Sequence, residues 1–419
     1  MRSRLRQLRT STRHVQRTLS ELPWEGVTDH RNASGRRIPW TALLNALTLG
    51  MMTSSRTLRD VEELLASVPA RVRRKLSLTD SPSDTTLYRA CVALDPDELM
   101  GVLVQQVRRM WRDRQLEPPP ELPIHLVSID GKATAKDAEG THPEVQQQRN
   151  RKGGPKSCCL MALRAVHVSS AVKPTIGQLI IPAGTGESTS VVAFARALRK
   201  AYGGLMQCVS LDAGLSSADN RMAILALGAD YIGGLKGNHG GLYRRARHLL
   251  GGDDEPEGGW RWVSREKRNG RVMVRYFTRV AANGFVDGDN YRQFWRVRQV
   301  LVAKDGSQSV EERHFLTSLS WDRLDDAQCL AAIRAHWGIE NDSNWTLDTQ
   351  WLEDTRSWAW KGRALEALGV LRLIAYNAVR LLRNRTLRGH NGRMLSYRSL
   401  FHLIRDALVA IHAPDLVPD

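Results

Sequence analysis

The chain has 419 residues, with 61 Lys and Arg against 44 Asp and Glu and a net charge of +17. Its 33 Gly and 16 Pro are ordinary for that length, which excludes a disordered or low-complexity chain, and the length is ample for a large core. So large a basic excess points to a polyanion partner, most simply nucleic acid.

In chain order, residues 1–21 form a basic arm. Arg2, Arg4, Arg6, Arg9, Arg13 and Arg17 come before the first acid, Glu21, and no apolar core follows to make a secretory signal. Residues 22–115 read as a helical, DNA-binding domain. Ile38 to Met52 is mostly apolar, and Leu58, Val61, Leu64, Leu65 and Val68 recur at helical spacing. The stretch Ser81-Pro82-Ser83-Asp84 offers a Ser or Asp N-cap for a further helix, and Pro96 to Arg112 makes another. Basic connections at Arg71, Arg73, Arg74 and Lys75 suit a helix-turn-helix reader. Residues 116–123, with Pro118, Pro119, Pro120 and Pro123, are a stiff linker.

The pattern then changes to strands. The first, 124–129, ends in Asp130-Gly131-Lys132, and 159–168 and 175–181 follow. A helix over 188–202 leads to the strand 206–211, which ends in Asp212-Ala213-Gly214. A helix over 217–227 and a strand over 230–235 complete the first part of a core spanning 124–250. From 251 to 322 the reading is a β insertion, with strands at 260–264, 271–281, 291–303 and 311–319. Asn269-Gly270, Asp287-Gly288 and Asp305-Gly306 supply its hairpin turns. Residues 323–419 hold the last part of the core and C-terminal helices. The fold class is α/β, a mixed sheet preceded by an all-helical N-terminal domain. No window approaches about eighteen clean apolar residues, so no membrane span is expected. The cysteines Cys91, Cys158, Cys159, Cys208 and Cys329 form no CxxC pair, which fits a reducing compartment, and Cys158 and Cys159 read as buried strand residues.

Chemistry concentrates in three places. Asp130 and Asp212 each end an apolar run, and open α/β sheets carry function at the carboxyl ends of strands. If those strands are neighbours, the two acids lie side by side. In the late stretch from Ile333 to Asp354, Glu340, Asn344, Asp348 and Leu352 share one face at helical spacing. Asn344 is placed to hydrogen-bond Glu340 on that face. A helix that delivers Glu340 to the same sheet edge completes three carboxylates, which repel one another unless a cation neutralises them. Hard divalent ions suit such oxygen donors, Mg²⁺ above all, and a pair of them suits phosphodiester chemistry. Asp348 and Glu353 are rival third ligands. Lys132, Lys236, Asn238, His336 and Asn344 are candidates for holding phosphates or ordering the acids. Trp337 and Trp345 read as core rather than as base-stacking residues.

These residues carry a resemblance. Ser128-Ile129-Asp130-Gly131-Lys132, Ser210-Leu211-Asp212-Ala213, Gly228-Ala229-Asp230-Tyr231, Leu235-Lys236-Gly237-Asn238 and His336-Trp337-Gly338-Ile339-Glu340-Asn341 resemble the DDE transposases of bacterial insertion sequences, in particular the H-repeat-associated (ISAs-type) group. The resemblance implies an RNase H-like catalytic core with a β-strand insertion, and Asp130, Asp212 and Glu340 as catalytic, metal-binding acids. It also implies two Mg²⁺ ions, replaceable by Mn²⁺, and a double-stranded DNA partner, both element ends and target. A homodimer in a synaptic complex and a cytoplasmic, nucleoid-associated location follow. The implied activity is cleavage at element ends and joining of the 3′-hydroxyl to target DNA. The alternatives are a metal-dependent nuclease without strand transfer and a non-catalytic, transposase-derived DNA-binding protein. The chain departs from the group's pattern at Ala133-Thr134-Ala135-Lys136, at His239 and at Gly214-Leu215-Ser216-Ser217.

Overall fold

A computed structural model of the chain describes residues 2–78, 81–136, 142–148, 157–252, 254–268, 270–282, 290–354, 357–390 and 392–409. The first half-domain is helical: α1 (Arg2–Glu21), α2 (Trp40–Met52), α3 (Leu58–Ser67), α4 (Ala70–Lys75), α5 (Asp84–Val92) and α6 (Pro96–Arg112). Local chemistry sets these boundaries. Thr57 caps α3 in a reciprocal capping box with Asp60, Ser83 caps α5, and Asp95 caps α6 with Pro96 at its first position.

The basic arm is not an extended tail. It is the helix α1, and Val15 and Leu19 bury one face of it. Arg17 pairs with Glu21 and Asp113, and Arg4 pairs with Asp406 near the C-terminus. An amphipathic repeat beneath the arginines explains this, because burying the stripe outweighs leaving the charges on a free tail. The Pro-rich stretch is likewise packed, with Leu116 and Leu122 buried.

Among the described residues, one sheet of ten strands follows. Its members are β1 (Leu126–Lys136), β2 (Val145–Gln148), β3 (Ser157–His167), β4 (Thr175–Ile180), β5 (Cys208–Leu211), β6 (Asp230–Leu235), β7 (Trp262–Arg268), β8 (Arg271–Ala281), β9 (Gln293–Val302) and β10 (Gln308–Thr317). The order is β2-β3-β1-β5-β6-β10-β9-β8-β7, with β4 also on β3. β1, β3 and β4 are antiparallel, while β5 and β6 run parallel to β1 and to each other. The helices α7 (Glu187–Tyr202) and α8 (Ala218–Ala226) make the two crossovers, and α9 (Gly240–Leu249) follows β6.

One expectation changes here. β1 does not stop at Asp130. It runs on to Lys136, because β3 continues to pair with it beyond the point where β5 ends. The strands expected as an insertion between the two parts of the core join its sheet. β10 pairs antiparallel with β6, His314 opposite Leu235, so the hairpins extend the same sheet and close the outer edge of β6. Gly306 turns the last hairpin with a φ of +83°. The turn residues Asn269, Asp287 and Gly288 lie outside the described residues.

A long helical run ends the core: α10 (Asp326–Gly338), a π-helical turn (Ile339–Asn344) and α11 (Trp345–Trp351). Then come α12 (Ala364–Leu381) and α13 (Tyr397–Val409). One face of the sheet packs against α7 and α8 through Val191, Phe194, Leu198 and Ile224, and the other against α10 through Cys329, Leu330 and Ile333. α12 crosses from the helical region to the sheet. Its buried Asn377 accepts from Thr175 N at 2.9 Å and donates to Thr175 O at 2.8 Å, satisfying buried backbone groups of β4 that β3 leaves unpaired. Among the described residues, no helix is long and apolar enough to cross a membrane.

Candidate active site

Three elements bring the predicted acids to one end of the sheet. β1 and β5 are parallel neighbours with Ile129 opposite Leu211, so Asp130 and Asp212 are the next residues on adjacent strands. Glu340 comes from the π-helical turn, a rare irregularity that recurs at functional sites. Asp130 and Asp212 are half-buried, and Glu340 is exposed.

The charges interact. Asp130 is pushed up to about 7, first by burial and then by the negative charges of Glu340 and Asp212. A fourth carboxylate, absent from the sequence reading, adds to this. Glu187, at the start of α7, lies against Gly131, and a methyl group on Gly131 would overlap the Glu187 carboxylate. Burial and Asp212 raise Glu187 as well. The sequence did carry a signal for it: an acid in the first turn of the helix that follows three strands.

The residues suit a hard divalent cation. All the donors are carboxylate oxygens, and Asp130 carries an excess of negative charge that such an ion would relieve. Among the described residues, no three His, Cys, Asp or Glu stand close enough to form a ready-made cage. Carboxylates that repel one another converge only when their charge is neutralised, so the charge excess is the more telling observation.

Asp348 and Glu353, the rivals for third acid, are engaged elsewhere. Lys132 Nζ donates to Asp348 Oδ1 at 2.5 Å and lies 3.8 Å from Glu353. Burial pushes Glu353 up, but Arg164, Lys132 and Arg372 more than offset it and hold the carboxyl below its ordinary value.

The candidate phosphate contacts divide. Lys236 and Asn238 are exposed at the end of β6, and Asn238 Nδ2 donates to Ala213 O at 3.0 Å, tying down the loop after Asp212. His239 does the same through Ser216 O at 3.0 Å. Lys132, His336 and Asn344 are buried and already bonded within the fold, so of the two roles read for them ordering the acids is the one their positions suit. His336 Nδ1 meets Ser210 Oγ at 3.0 Å, and Ser210 Oγ lies 2.6 Å from Ser128 Oγ, beneath the two aspartates. Burial lowers His336 to about 4, so it is neutral at pH 7. Asn344 Nδ2 donates to Asp130 Oδ2 at 3.2 Å; the partner expected for it was Glu340. The π-helical turn breaks the four-residue spacing on which that expectation rested.

Two aromatic expectations also divide. Trp345 is 59% exposed and is not core. Trp337 is partly buried, with the Arg313 guanidinium 4.7 Å over its ring.

Acids at adjacent strand ends, on a mixed sheet with a helical region before it, suit metal-assisted phosphodiester chemistry. The chain belongs to the Transposase DDE domain family, whose model matches residues 133–378, more than half of it. That span begins just after Asp130 and includes Asp212 and Glu340. A second model, described as DDE_Tnp_1-associated, matches residues 24–107. The chain also aligns with a cryo-EM structure of a piggyBac transposase synaptic complex with hairpin DNA. That alignment covers 98% of this chain and 83% of the other, at 13% identity and a TM-score of 0.45. No curated protein matches the chain.

Proposed function

We propose that the protein binds the ends of its own insertion sequence, cuts the DNA there and joins the freed 3′-hydroxyl to target DNA. Asp130, Asp212 and Glu340 are the catalytic acids of an RNase H-like core. The single observation that carries this reading is the parallel pairing of β1 with β5, one register step before both aspartates, together with the charge of Glu340 felt at Asp130. The strand order β4-β3-β1-β5-β6, antiparallel and then parallel, supports the RNase H-like assignment.

Asp130, Asp212 and Glu340 would hold the Mg²⁺ ions, and Mn²⁺ would serve in their place. Two bound ions supply activation of the attacking oxygen and stabilisation of the leaving oxygen. The chain's own residues do the rest. Asn344 orients Asp130, Asn238 and His239 fix the loop behind Asp212, and neutral His336 supports both strands from below. Lys236, exposed beside that loop, is the phosphate contact of the set. The H-repeat-associated motifs support membership of that group, and a homodimer holding two element ends is its working form.

The test is an element-end duplex incubated with the full chain and Mg²⁺. Cleavage followed by joining to a second duplex supports the reading. Cleavage without joining indicates a nuclease, and binding without cleavage indicates a non-catalytic DNA-binding protein.

A further inference from the structure

Arg164 stands opposite Asp130 in the β1–β3 register and is fully buried. Its guanidinium donates to both oxygens of Glu353, at 2.8 and 2.9 Å, to Gln178 Oε1 at 2.8 Å and to Asn344 Oδ1 at 3.4 Å. The two-pronged pair with Glu353 fixes its plane.

An arginine can only donate. The atom of Asn344 that faces it is therefore the carbonyl oxygen, and the amide nitrogen must point the other way. That nitrogen donates to Asp130 Oδ2 at 3.2 Å. Glu353, Arg164, Asn344 and Asp130 thus form one directed chain of hydrogen bonds from the buried core to the candidate site. Without Arg164 the amide could turn over and present its oxygen to Asp130, which would repel it.

We infer that Arg164 is a positioning residue for Asp130: clamped by Glu353, it sets the Asn344 amide, which holds the Asp130 carboxylate in one orientation. The inference rests on the reading of Asp130 as a metal-binding acid. It also gives the Arg164–Glu353 pair a purpose beyond stability, since a buried pair of this kind is by itself weak support for a fold.

The test measures Mn²⁺ binding to the full chain by calorimetry, alongside Mg²⁺-dependent cleavage and thermal unfolding. The variants are Asn344→Leu, Arg164→Lys, both together, and Asp130→Asn as the reference. Lysine keeps the charge but lacks the planar fork. Loss of a group that orients a ligand typically weakens metal affinity by about 10- to 100-fold. Asn344→Leu and Arg164→Lys should each weaken Mn²⁺ binding by roughly tenfold or more. The double variant should bind no worse than the weaker single one, because both act through one bond. Additive losses overturn the inference, as does wild-type Mn²⁺ affinity in Asn344→Leu. Should Arg164→Lys fail to fold, Asn344→Leu alone decides on the same criterion. If Asp130→Asn binds Mn²⁺ as the wild type does, the proposed function of Asp130 fails and the inference falls with it. If Asp130→Asn is impaired and Asn344→Leu is not, the inference alone is wrong.

Discussion

Glu340 and Glu353 are both acids of the same late stretch, yet their surroundings set them opposite tasks. Glu353 has no exposed side-chain surface and is gripped by Arg164. Removing one partner of such a pair leaves a buried charge uncompensated, so Glu353→Gln should cost roughly 3–5 kcal/mol of stability. Glu340 is exposed and adds to the repulsion at Asp130, so Glu340→Gln should leave the unfolding midpoint unchanged or higher. Cleavage in Mg²⁺ should nevertheless fall by orders of magnitude in Glu340→Gln, as in Asp130→Asn and Asp212→Asn. A stable Glu353→Gln protein that is dead, beside an active Glu340→Gln, would mean the wrong acid has been chosen. The raised Asp130 makes a second prediction. Its carboxyl titrates near 7 in the metal-free fold against 3.8 as the ordinary value, so the folded chain keeps a proton that the unfolded chain releases. That contribution is complete below about pH 4 and is lost as pH rises through about 7. In EDTA, Asp130→Asn should therefore gain in unfolding midpoint over the wild type as pH rises across this window. Comparing the two proteins cancels the opposite trend of buried His336. A difference that stays flat with pH would reject the coupling.

Two glycines control how closely the elements approach the site. Gly131 leaves room for Glu187, and Gly234 on β6 leaves room for the loop after Asp212, where an added methyl would lie 2.8 Å from Ala213 N. The Glu187 side chain can swing aside, but the Ala213 backbone cannot. Gly131→Ala should thus fold and behave like Glu187→Gln in its Mg²⁺ response, while Gly234→Ala should lose stability by about 1–3 kcal/mol. Chemical denaturation of both variants separates the two cases. The same elements mark what could be read from sequence. Helical periodicity gave α3, and a cluster of capping residues marked where α5 begins. Apolar runs gave β3 to β6 and put Asp130 and Asp212 at strand ends, but the adjacency of β1 and β5 that sets them side by side was only a condition of the reading. Contacts distant in sequence were out of reach. The extension of β1 depends on β3, and the joining of the hairpins to the core depends on β6 meeting β10. Glu187 reaches the site only because Gly131 lacks a side chain. The π-helical turn, six residues long, is too short to show a period distinct from the helices on either side and was read as ordinary helix.

Across the whole molecule, the two ends of the chain share one core. Val15, Leu43, Leu47 and Leu65 from the first helices pack with Leu371, Ile374, Leu400 and Ile404 from the last. His14 Nε2 meets Ala378 O at 2.9 Å in the same seam. A fragment starting near Leu122 would expose that apolar surface of α12 and α13, so it should aggregate rather than report the DNA affinity of the remainder. DNA binding by the helical region must be tested in the intact chain. Arg37 and Arg89 are exposed and line one surface hollow with His30 and Asn32, which makes them the charges to reverse. Removing one cation that neutralises a phosphate should weaken binding and lower the slope of log affinity against log salt by roughly one. Arg37→Glu and Arg89→Glu should do this without changing the unfolding midpoint, since neither side chain is buried. Element-end binding measured from low to high salt decides the matter. If both variants keep the wild-type slope and affinity, this hollow does not face DNA, and the basic excess acts through other surfaces, such as α4 or that around Lys236 and α9.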